Sequence, residues 1–147
     1  MPAVVQMTPE QLGVWFAGLQ QMSFAEPLKV CAVAVAAGIK DNFSGSHSPD
    51  GLPWLPLARP RRRGPGKPLW DFGILMASTT ARGAQGNISI IDRHSLVYGT
   101  NVHYASYHQY GTRYIPARPF VGVSAKTMTT IIRILAEFVA RQVAAKR

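Results

Sequence analysis

The side chains best placed for chemistry are two histidines, a serine and a lone cysteine. His103 and His108 stand five residues apart. That spacing fits neither adjacent helical turns nor alternate strand positions, and no Cys or carboxylate lies nearby to complete a metal shell. Ser106 precedes His108 by two residues. A nucleophile needs a base and an orienting group fixed around it, and no G-x-S-x-G elbow frames this serine. Cys31 lies in the apolar run 30–39, with no electropositive setting to activate it, and reads as a small core residue. The 7 acids are scattered along the chain, so no carboxylate pair suggests acid–base work. There is no P-loop and no dinucleotide fingerprint; Gly64-Pro65-Gly66 is a G-x-G inside a proline-rich stretch. These absences argue against an enzyme, and no cofactor or metal is expected.

Residues 98–124, YGTNVHYASYHQYGTRYIPARPFVGVS, suggest a different use. They contain no Asp, Glu or Cys, yet are dense in aromatics, Gly99, Gly111, Gly122, Pro116 and Pro119. Such groups fix a shape. Tyr and Arg beside Pro suit an interface, where these types are enriched. Tyr104, His108, Gln109, Tyr110, Arg118 and Phe120 are the candidate interface residues, although some aromatics here must serve the core. Arg118, bracketed by alanine and proline, can hold a fixed carbonyl or carboxylate.

A second constellation is cationic. Arg59, Arg61, Arg62, Arg63 and Lys67 cluster around Gly64, Pro65 and Gly66. No recognition helix or zinc finger accompanies them. Phosphate or acidic-protein contact is therefore the functional reading, without base-specific readout. The plainer reading is a solvated loop. A formal net charge of +9 favours an anionic partner of some kind.

The elements that must position these groups are legible in outline. Thr8-Pro9-Glu10-Gln11 is a capping box with Pro in the first turn, and Leu12, Trp15, Phe16 and Leu19 then share one face. A second helix is expected over residues 26–42, with Leu28, Cys31, Val35 and Ile39 as its buried stripe and Gly38 weakening it. Residues 44–70 turn Pro-, Gly- and Arg-rich and read as an extended, flexible loop. Trp54 and Leu55 should anchor its near end, Leu69 and Trp70 its far end. A helical turn follows over 71–75. Residues 87–91 and 96–99 flank the polar turn 92–95 and predict an antiparallel hairpin. A short helix is expected over 104–110 and a further strand over 120–123. Ser124 caps a long last helix with Met128, Ile131, Ile132, Leu135, Phe138 and Val139 on one face.

The fold expected is α+β: a small antiparallel sheet packed against N-terminal helices and a long C-terminal helix, with a Pro/Arg-rich extended loop. With 147 residues, 47% of them hydrophobic, one domain over 1–147 is the natural size. The start of the chain lacks a basic, apolar signal pattern, and the apolar run 30–39 is about half the ~20 residues of a spanning helix. A soluble protein without a membrane partner is the expectation.

Four segments, in order, resemble the virion-morphogenesis, or tail-completion, family of tailed bacteriophages. Pro49-Asp50-Gly51 with Trp54 and Leu57 is similar to its "PDG..W..L" element. Gly73, Leu75 and Ser78 are similar to "tG.L..S". Gly99-Thr100-Asn101, Tyr104-Ala105, His108-Gln109 and Gly111 are similar to "GTn..YA..HQ.G", and residues 115–122 to "iPaRPFlG". The middle loop departs, being Arg- and Pro-rich where the family often has Lys or Thr. The resemblance implies a structural, non-enzymatic protein without a cofactor, acting late in virion assembly in tail completion or head–tail joining. It implies residence in the virion, after assembly in the host cytoplasm. Ring formation by copies of itself at the neck or tail end would suit that role, against tail-tube or head-connector proteins and with non-specific contact to passing DNA. A basic nucleic-acid-binding module without base-specific readout is the alternative.

Overall fold

A computed structural model of the chain describes residues 8–58, 68–69 and 73–145. The chain is α+β. Its elements run α1 (Pro9–Gln21), α2 (Ala25–Gly45), α3 (Ile74–Thr80), β1 (Asn87–Ile91), β2 (Leu96–Thr100), α4 (Ala105–Tyr110) and α5 (Ala125–Ala145).

Helix α1 starts as its sequence predicts. Thr8 Oγ1 accepts from Gln11 N at 3.3 Å, and Gln11 Oε1 accepts from Thr8 N at 2.9 Å. Yet none of its residues is buried, so the face of Leu12, Trp15, Phe16 and Leu19 has no full cover among the described residues. What holds α1 is its C-terminal end. Arg93 Nη2 donates to Gln21 O at 2.7 Å, Phe24 N donates to Arg93 O at 2.7 Å, and His94 Nε2 lies 2.8 Å from Met22 O. The turn of the hairpin thus grips the joint between α1 and α2.

Helix α2 is the central element. It begins at Ala25 and continues to Gly45, beyond the expected end at residue 42, so that Asn42 and Phe43 become buried helical residues. Cys31, Val35 and Ile39 form the expected stripe, with Leu28 half-buried at its start. Burial pushes the Cys31 thiol up from its ordinary value, because an ionised sulfur loses its hydration there. Gly38 has a packing reason. A Cβ there would stand 2.6 Å from Thr127 Oγ1, so the absence of a side chain lets α5 cross α2 closely.

Strands β1 and β2 pair antiparallel, Ser89 opposite Tyr98 and Ile91 opposite Leu96, with Asp92 N donating to Ser95 O across the turn. Helix α3 occupies Ile74–Thr80, longer and later than the helical turn expected over 71–75. Gly73, at φ +67°, supplies the left-handed residue before its first turn. Helix α5 is capped as expected, Ser124 Oγ accepting from Thr127 N at 3.1 Å. Its apolar face is only partly covered, with Met128 and Ile132 exposed. Among the described residues no single helix is long and apolar enough to cross a membrane.

The core gathers Val35, Ile39, Phe43, Trp54, Leu69, Leu75, Ala105 and Phe120. The Phe43 ring stands at its centre, 5.8 Å from Trp54 edge-on and 5.5 Å from Phe120. Rings at these separations gain somewhat more than their buried area alone supplies. Trp54 and Leu69 anchor the two ends of the middle segment as expected. Leu55 does not, being 60% exposed, because its carbonyl rather than its side chain turns inward. Trp70 and the cluster Arg59, Arg61, Arg62, Arg63 and Lys67 lie outside the described residues.

The strand expected over residues 120–123 does not form. Phe120 and Val121 run in irregular backbone whose polar groups are taken by side chains, and these side chains build the candidate site.

Candidate functional site: a locked, projecting loop

Gln109, on the last turn of α4, does the work of a partner strand. Its Oε1 accepts from Phe120 N at 3.0 Å and from Val121 N at 3.1 Å, and its Nε2 donates to Val121 O at 2.9 Å. Asn42, buried on α2, donates to Phe120 O at 3.0 Å. Trp54 Nε1 donates to Pro119 O at 2.8 Å. Three separate stretches of chain therefore fasten residues 119–121 by side-chain amide and indole groups. The Phe120 ring, 1% exposed, completes the anchorage inside the core.

Arg118 is the second fastening. It is only 6% exposed. Its Nε donates to Leu55 O at 2.8 Å, its Nη2 donates to Pro56 O at 3.0 Å, and its backbone N donates to His108 O at 2.7 Å. A buried guanidinium is tolerable when its fork meets fixed acceptors. Here the acceptors include two carbonyls of the segment 46–58, which Arg118 straps to the loop that follows α4. That segment is itself closed by Ser48 N donating to Leu52 O and Trp54 N donating to Ser46 O, both at 2.8 Å. Gly122 fits against it, since a Cβ there would stand 2.6 Å from Pro49 Cγ.

Between these fastenings the chain projects. Gly111, at φ +76°, leaves α4 in a conformation that L side chains rarely adopt, and a Cβ there would sit 2.8 Å from Ala117 N. Thr112 N donates to Ile115 O at 2.8 Å, and Thr112 Oγ1 accepts from Ile115 N at 3.0 Å, closing the tip. Tyr114 is 84% exposed at that tip, with Arg113 over its ring at 5.5 Å, and Tyr110 is 80% exposed at the base. Tyr114 thus stands in solvent on a loop whose backbone is tied at both ends, with Tyr110 exposed beside it at the end of α4.

The six candidate interface residues divide accordingly. Gln109, Arg118 and Phe120 are internal fastenings. Tyr104 is half-buried against the core, its ring edge-on to His103 at 5.2 Å and to His108 at 6.1 Å. His108 is half-buried and supplies the carbonyl that receives Arg118 N. Tyr110 alone of the six is presented outward. The sequence reading did not single out Asn42, or Tyr114 as the tip. A polar residue next to an apolar stripe was the signal for the first, and a Tyr between Thr112 and Pro116 for the second. The two histidines flank one tyrosine ring, and among the described residues no group of three or more His, Cys, Asp or Glu is placed to hold a metal ion.

The motifs that carry the family resemblance fall on these fastenings: Trp54, Gln109, Gly111, Arg118 and Phe120. The model of the phage virion morphogenesis family matches residues 10–140. The chain belongs to that family. The match runs from the first turn of α1 to the last part of α5, so both long helices, and not the fastened loop alone, are parts of the family's pattern. Comparison with curated proteins and with solved structures gave no match.

Proposed function

We propose that this virion-morphogenesis protein is a structural rather than catalytic component that completes the tail and joins it to the head. It would act as a subunit of a ring at the neck or tail end. The observation that carries the reading is the loop 111–118, held by part-buried side-chain hydrogen bonds at its base and presenting Tyr114 outward, with Tyr110 beside it at the end of α4. A surface fixed before contact loses little conformational entropy on binding, and exposed tyrosines give large contact area at few rotatable bonds. Such a loop suits docking against a second copy, a tail-tube protein or a head connector. The net charge of +9 suits a ring through which DNA passes.

Deletion of the gene tests the role. Filled heads and separate tails, or tails with abnormal ends, are expected in electron micrographs, and normally joined particles would overturn the proposal. Joint replacement of Tyr110 and Tyr114 by alanine should reduce joining while leaving the melting temperature within about 2 °C, as expected for exposed side chains.

A further inference from the structure

Helix α1 is apolar on every side over residues 12–19, with polar residues only at its ends. A helix of that kind is ordinarily buried. This one has no buried residue, and Gly13 and Gly18 have nothing within 4 Å of where a Cβ would stand. Beside it, α5 turns an apolar stripe towards it. An open groove of about 770 Å³ separates the two, lined by Trp15, Leu19, Ile132, Leu135, Val139 and Ala140 among others. Its lining residues carry no charge. We propose that this groove takes helix α1 of a second copy of the chain.

The size of the surface supports that occupant. Leu12, Val14, Trp15 and Phe16 on α1, with Met128 and Ile132 on α5, are all exposed. Together they leave on the order of 500 Å² of apolar surface open, in the upper part of the roughly 300–600 Å² of the largest patch on a monomer, a patch that often serves contact. Charge selects the pairing. Helix α1 carries Glu10 and no Lys or Arg, whereas α5 carries Lys126, Arg133 and Arg141 against Glu137. Facing two α5 helices would set like charge on like, while α1 on α5 sets opposite signs at the rim. Gly13 and Gly18 on α1, and Ala136, Ala140 and Ala144 on α5, let the two helices approach closely. Repeated head to tail, one copy's α1 on the next copy's α5, the contact propagates and closes into a ring when the rotation allows. This deepens the ring reading and rests on it.

Cysteine trapping tests the surface. A tagged Phe16→Cys chain is mixed with an untagged Ala140→Cys chain under mild oxidation; both positions are exposed, and the wild type, whose Cys31 is buried, is the control. A mixed disulfide dimer is expected, absent when either variant is mixed with wild type. Phe16→Glu should raise the self-association constant for dissociation at least about tenfold, the effect of losing an anchoring aromatic. Absence of the mixed disulfide in a sample that mass photometry shows to be oligomeric would overturn this surface and leave the ring intact. A monomeric disulfide in a chain carrying both cysteines, without the mixed one, would show α1 closing on its own α5 and overturn the proposal equally. Failure of the assembly role itself is read separately, from the particles formed without the gene.

Discussion

Replacing Gln109 by leucine is the sharpest perturbation of the locked loop. The side chain keeps nearly its volume, and three backbone groups lose their partner: the N–H groups of Phe120 and Val121, and the carbonyl of Val121. A polar group stranded away from water costs about 1–3 kcal/mol. The site is part-buried, so some of the three recover water, and the net loss is about 2–5 kcal/mol. That is a large share of the ~5–15 kcal/mol by which a domain is stable. With a urea slope near ~2 kcal/mol/M, the midpoint should fall by about 1–2.5 M at unchanged slope. Gln109→Glu keeps both N–H acceptors but sets a carboxylate against Val121 O, now 2.9 Å from the amide nitrogen. Its loss should be smaller, and should shrink relative to wild type as pH falls, since a protonated carboxyl can donate again. Urea titration followed by tryptophan fluorescence measures both variants. A Gln109→Leu midpoint equivalent to within about 0.5 kcal/mol of wild type would refute the view that this amide stands in for a strand.

Other outcomes follow from the same contacts. Gly38→Ala should destabilise by about 1–3 kcal/mol in thermal melts despite the better helix former, because its Cβ meets the buried Thr127 hydroxyl; Thr127→Ala in the same chain should restore most of the loss. Arg118→Lys loses the fork that serves Leu55 O and Pro56 O together, and should cost about 1–3 kcal/mol by the same titration, whereas a surface Arg→Lys change costs almost nothing. Neutralising Arg61, Arg62 and Arg63 together should leave melting unchanged but weaken assembly or DNA retention across a salt series; wild-type behaviour throughout would mark the cluster as a solvated loop.

Local rules made much of the fold legible. Thr8 and Gln11 announce the start of α1, and the polar residues 92–95 between the runs 87–91 and 96–99 announce the hairpin. Each of these signals lies within a few residues of the structure it specifies. The expected strand over 120–123 shows where that stops. Its apolar run reads as a strand, but its hydrogen-bond partners are the side chains of Gln109 and Asn42, the latter 78 positions earlier. No periodicity marks an amide that replaces a ladder. Arg118 is a similar case. A charged residue between small and cyclic neighbours suggests a surface, whereas the inward carbonyls of Leu55 and Pro56, more than sixty positions earlier, help to make its burial acceptable. For α1 the sequence sets Leu12, Trp15, Phe16 and Leu19 on one apolar face. The structure adds that the described residues do not bury it.

The fastening of residues 118–121 also bears on the order in which the chain folds. The hairpin closes across residues 92–95, and α3 winds within one short segment, so both can form early. The bonds from Asn42, Trp54 and Arg118 join residues 78, 65 and 62–63 positions apart. Closing loops of that length is entropically unfavourable until most of the core is already in place. The projecting loop should therefore set last, and a chain released half-folded would carry Tyr114 on slack backbone. In a particle built in sequence, that would work as a maturity check on the docking proposed above: only a finished subunit would offer a surface stiff enough to be joined.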